Sequence, residues 1–123
     1  MRTACHLVYI TASGKEEAMR LCRSLLEERL AACANIVDSV SSLYWWQGNL
    51  ESAGESVCLL KTSGDRLDAL IARARQLHSY TTPCIVAWPI AAGHEDFLAW
   101  IRAESVVDDK GIPGSGQRKK DAL

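Results

Sequence analysis

Three observations predict an α+β domain in which helices lie on one face of an antiparallel sheet. Short apolar runs rich in β-branched and aromatic residues occur four times, two segments carry apolar residues at helical spacing, and their order is strand, helix, strand, strand, helix, strand. Two βαβ-type halves joined by a hairpin make the ferredoxin-like split βαβ arrangement, here followed by a short C-terminal helix. At 123 residues the chain suits a single domain, expected over 1–107, with a disordered tail over 108–123 where Gly, Pro, Ser and charge dominate.

The first strand is CHLVYIT at 5–11. Neighbours on a strand face opposite ways, so Cys5 and His6 cannot ligate one metal from a regular extended backbone. Ser13 and Glu16 fit a capping box, Glu16 reaching back to the chain ahead of the helix. The helix that follows presents Ala18, Leu21, Cys22, Leu25 and Leu26 on one side, with Glu16, Glu17, Glu27 and Glu28 read as a solvated face. It fades near Ala32. A long strand then runs to Trp46, bent near Asp38 and Ser39, and Gln47-Gly48-Asn49 supplies the positive-φ positions of a hairpin turn. Tyr44, Trp45 and Trp46 alternate faces, so at least one ring points away from this domain's core and needs other cover.

A polar connection at 51–55 leads to the strand SVCLLKT at 56–62. Asp65 is placed to cap the second helix, whose Leu67, Leu70, Ile71, Ala74 and Leu77 step by three and four. Thr-rich sequence before Pro83 ends it. The fourth strand is CIVAWPI at 84–90, assigned to a sheet edge because Pro89 has no amide donor. His94 to Ile101 form the last helix. One sheet face remains bare, and self-association covers it economically.

Composition excludes several classes. A net charge of −1 with one basic cluster, Arg118-Lys119-Lys120, argues against a nucleic-acid footprint, and no apolar run approaches a membrane span. No export signal is visible. Five cysteines without CxxC or CxxH spacing point to a reduced, cytoplasmic chain whose thiols pack as small hydrophobes. Nucleotide-binding, metalloprotease and nucleophile-elbow motifs are all missing, so no enzymatic activity is expected. Lys61 closes an apolar strand, either as an ordinary strand-end lysine or snorkelling at a cleft rim. His78, after the second helix, reads as a protonated cap on its C-terminus or as a metal ligand. Cys33 is a packed thiol or a soft-metal ligand.

RLAACANIV, SLYWWQGNLE, Lys61-Thr62, HSYTTPCIVAWPI and FLAW, colinear over roughly 5–103, resemble the CutA family, named for divalent cation tolerance. The resemblance implies a ferredoxin-like protomer in a tight homotrimer similar to PII signalling proteins. It implies an aromatic hairpin at the subunit interface and inter-subunit clefts lined by Cys33, Tyr44, Trp46, Lys61, His78, Tyr80 and Trp100. Some members carry a Cys where this chain has Ile10 and a His-His pair where it has Leu77-His78; Ser79 stands for a common Pro and Cys84 for a common Glu. The cleft therefore loses a carboxylate and gains a thiol. Cys33, His78 and Cys84 would offer a soft-metal set for copper or another divalent ion if trimerisation joined them. The leading expectation is a trimeric, non-enzymatic metal-tolerance protein. The alternatives are a PII-like sensor of a small anion or nucleotide with Lys61 as charge partner, and a stable trimeric scaffold.

Overall fold

The computed structural model describes residues 4–106; the expected tail lies outside them. Strands β1 (Cys5–Ala12), β2 (Cys33–Trp46), β3 (Asn49–Ser63) and β4 (Ile85–Pro89) form one sheet in the order β2-β3-β1-β4, with every pairing antiparallel. Helices α1 (Lys15–Glu27) and α2 (Gly64–Leu77) share a face, and α3 (Glu95–Glu104) closes the domain. This is the ferredoxin-like plan that the element order predicts.

Alternation along the strands divides the sheet. Val8, Ile10, Ala12, Cys58 and Leu60 meet Ala18, Leu21, Leu25, Leu70 and Ala74 from the two helices in one apolar core. The opposite face carries Leu7, Tyr9, Leu59, Val86 and Trp88 and is only partly covered. Helix α3 packs on β1 and β3 at the Cys5 end, where the Leu98 carbonyl accepts from Cys5 Sγ, so the expectation of an entirely bare face holds for the remainder alone. β4 is an edge strand, as Pro89 requires.

Local assignments shift where strands run longer than the sequence indicates. Glu51 to Glu55, read as a connection, belongs to β3, because the turn is only Gln47 and Gly48, both at positive φ (50° and 82°). Helix α2 begins at Gly64 with Ser63 as N-cap and Asp65 as its second residue, within the first turn, since β3 passes directly into the helix. In α1 the N-cap is Gly14, one residue later than expected, which makes Glu17 rather than Glu16 the residue that reaches back. Glu17 Oε1 accepts from Ser13 N at 3.0 Å and Ser13 Oγ at 2.8 Å.

β1 pairs β3 only from Ser56 onward, while β2 stays paired to β3 as far as Trp46–Asn49. Residues 40–46 and 49–55 therefore project past the sheet as a two-stranded arm, about 23 Å long at ~3.3 Å per residue. A register irregularity between Val37 and Val40, at the expected bend, sets off the arm from the sheet.

Candidate functional site

The arm, from Ser42 to Trp46, and the α2–β4 loop border an open groove of about 740 Å³. Its lining includes Tyr9 and Thr11 of β1, Leu43, Tyr44, Trp45 and Trp46 of the arm, Glu55 of β3, and Tyr80 and Cys84 beyond α2. On the arm, Tyr44 lies opposite Glu51 and Val40 opposite Glu55, so Tyr44 and Trp46 share the face that carries Glu55. Trp45 and Leu50 form a cross-strand pair on the other face with Leu43, and these three are 73%, 61% and 75% exposed.

The loop that walls the groove is held from below. Glu17, only 4% exposed, extends its second oxygen to Ser79 N at 2.8 Å. Burial alone would raise its pKa; the hydrogen bonds from Ser13 and Ser79 reverse that and lower it to about 2. The solvated-face reading of Glu17 is thus corrected: Glu17, Leu21 and Leu25 fall at i, i+4 and i+8, on the buried side of α1. His78 follows, its side chain buried, with Nε2 2.7 Å from the Thr11 carbonyl and Nδ1 accepting from Tyr80 N at 3.1 Å. Because Nδ1 accepts, the ring proton sits on Nε2 and donates to Thr11. The protonated-cap expectation is corrected accordingly, and it is the His78 backbone N–H that caps α2, through the Ala74 carbonyl. The Tyr80 ring rests 4.6 Å from the imidazole, and its hydroxyl donates to Glu55 Oε2 at 2.8 Å. Burial and the Glu55 carboxylate push the Tyr80 phenol well above its ordinary value.

Of the residues expected to share a cleft, one chain gathers Tyr44, Trp46, Tyr80 and Cys84 at the groove with His78 behind them. Cys33 and Lys61 pair with each other across β2 and β3, eleven residues from Tyr44 along β2, or roughly 35 Å away. Lys61 Nζ donates to Asn35 Oδ1 at 2.8 Å. Trp100 stacks on Phe97 of α3 at 5.5 Å. Among the described residues no three His, Cys, Asp or Glu side chains gather as a metal site, so the donors of a single chain do not fit a bound ion. None of the five cysteines is in a disulfide. Burial raises the Cys5 thiol, and the neighbouring Cys58 thiol together with burial pushes Cys22 well up, as packed thiols behave. No helix among the described residues is long and apolar enough to cross a membrane.

Fold and surface together define a small ferredoxin-like α+β domain marked by an aromatic groove and an apolar arm. Residues 6–104 match the family model described as CutA1 divalent ion tolerance protein. The chain is 44% identical over 96 residues to the divalent-cation tolerance protein CutA of Archaeoglobus fulgidus, covering 78% of this chain and 93% of that one. The CutA of Thermus thermophilus shares 44% identity over the same length. The solved structure of the divalent cation tolerance protein CutA1 from that organism matches with a TM-score of 0.78 at 43% identity, covering 80% of this chain and 95% of the other. The chain belongs to the CutA1 divalent ion tolerance family. That family is named for ion tolerance, not for an enzymatic reaction.

Proposed function

We propose that the chain acts as a cytoplasmic homotrimer in tolerance to divalent cations, copper among them, without catalytic turnover. The observation that carries this reading is the arm's outer face, where Leu43, Trp45 and Leu50 stand 75%, 73% and 61% exposed on a segment that no other element among the described residues covers. Three large apolar side chains in one cross-strand patch favour burial against another surface. A second copy, symmetrically placed, supplies one on every protomer. An exposed thiol at Cys84 suits a reducing compartment.

The proposed soft-metal donors are Cys33, Cys84 and His78, brought together between protomers. Cys33 pairs with Lys61 at the β2 edge while Cys84 lies beside Thr11 of β1, with β3 between them, so a neighbouring copy is what can join them. His78 takes part only by releasing the Thr11 carbonyl or the Tyr80 amide. Titration of the reduced, assembled protein with Cu(I) tests this set. Cys84→Ala is expected to weaken binding at least about tenfold, a loss of ~1.4 kcal/mol, and unchanged affinity removes Cys84 from the site. The anion or nucleotide reading gains nothing here, because the groove lining contains no Lys or Arg and Lys61 is turned to Asn35.

A further inference from the structure

We infer that Cys22 and Cys58 form an oxidation site, closed by hydrogen peroxide into a disulfide that ties helix α1 to strand β3. Cys58 is fully buried and Cys22 is 4% exposed, and both belong to the core on the helix side of the sheet. Cys58 Sγ lies 3.8 Å from the Ala18 carbonyl, one helical turn before Cys22. Side chains on an α-helix lean back toward its N-terminus, over the residue four positions earlier, so the Cys22 thiol is directed over Ala18 as well. The two sulfurs meet there, with Cys22 donating to Cys58. That hydrogen bond lowers the Cys58 thiol from its ordinary value against the effect of burial, which makes Cys58 the more acidic of the two.

A second groove, of about 370 Å³, gives the pair its access. Cys22 stands in its wall, and Met19, Leu26, Ala34 and Ile36 line it too. Ile36 is the cross-strand partner of Cys58, so the groove reaches Cys22 directly and comes within one strand of Cys58. Hydrogen peroxide is neutral and close to water in size, which suits sulfurs this deep. The Cys58 thiolate attacks the O–O bond, which breaks; one oxygen stays on sulfur as a sulfenic acid, and the other leaves as hydroxide and takes up the Cys58 proton as water. Cys22 sulfur then displaces hydroxide from the Cys58 sulfur, forming the S–S bond, and that hydroxide takes the Cys22 proton as a second water. The sulfurs lose two electrons in all, and the peroxide is reduced to two waters. Both thiols come from one chain and lie on the helix side of the sheet, opposite the face assigned to subunit contact and away from the arm. The inference therefore stands apart from the copper reading and from the oligomeric state.

The full chain, kept with a metal chelator, is treated with hydrogen peroxide, its remaining thiols are alkylated in denaturant, and its disulfides are mapped by mass spectrometry of peptides. A Cys22–Cys58 link within one chain is expected in more than about half of the molecules, and dithiothreitol should reverse it. Closing the loop between these residues is expected to raise the urea midpoint by at least about 1 M at fixed protein concentration. Cys22→Ala and Cys58→Ala should each abolish both the link and the midpoint shift, and either variant carries the test if the other fails to fold. Both thiols still alkylated once peroxide has oxidised the exposed Cys84, a link made chiefly by another cysteine, or a midpoint unchanged or lowered by the link would each overturn the inference.

Discussion

Strand β3 passes through two environments, and the contrast between them organises the molecule. From Ser56 to Ser63 it pairs with β1 throughout and with β2 over 57–61, its core side is covered by helices, and Ser56, Val57, Cys58, Leu60, Thr62 and Ser63 are all buried. Over 49–55 it has β2 as its sole pairing partner, and the large apolar residues of that arm stay exposed. The first half satisfies its apolar side chains within one chain and the second does not. Changes in the first should appear as folding stability, and changes on the outer face of the second as assembly.

The largest effect on the folded chain is expected from Leu60→Ala. Leu60 is fully buried at the centre of the core, and its truncation should remove about 3–4 kcal/mol in chemical denaturation at fixed protein concentration. A loss below about 1 kcal/mol would show that this half is less tightly packed than its burial implies.

Glu17→Gln should come next. The Glu17 pKa falls from 4.5 to about 2 on folding, a difference linked to about 3 kcal/mol. Since the folded value is the lower one, this stabilisation is complete above about pH 4.5 and disappears as pH falls toward 2. Acid titration of stability should show that limb in the wild type and a flatter one in the variant; superimposable curves would contradict the role. The groove loop should respond too, because Glu17 holds Ser79 beside Tyr80.

Gly48→Ala probes the hairpin tip. Gly48 sits at φ 82° with open space where a Cβ would go, so the cost is conformational alone, about 1 kcal/mol. It should loosen the arm without touching the core, seen as faster amide exchange over 40–55 than over 56–63. Uniform loosening would erase the boundary between the two regions.

Much of this division was legible in the sequence. Helical spacing in LDALIARARQL marked the buried side of α2, and three adjacent aromatics after β-branched residues announced an arm with one face uncovered. Glu17 was harder to read, because a carboxylate beside Glu16 and Lys15 resembles a solvated turn. Only its spacing to Leu21 and Leu25 marks the buried side, and its partner Ser79 is 62 residues away. The extent of β3 was obscured because Glu51, Ser52, Gly54 and Glu55 are poor strand formers by type, and their pairing with β2 is what holds them extended. Tyr80 and Cys84 were singled out individually, whereas Glu55 emerged only once the fold brought it against Tyr80. Pairings of that kind depend on tertiary contact and leave no local pattern.

Smallest in its effect on the single chain, and most direct as a test, is Trp45→Ser. Trp45 is 73% exposed, so its loss should change the stability of an isolated protomer by no more than about 0.5 kcal/mol. Sedimentation equilibrium should give the wild type a mass of about 40 kDa, three chains of 13.5 kDa, and shift Trp45→Ser toward 13.5 kDa while Leu60→Ala keeps the larger mass wherever it is folded. A wild-type chain that sediments as a monomer, or a Trp45→Ser protein with unchanged mass, would contradict the account.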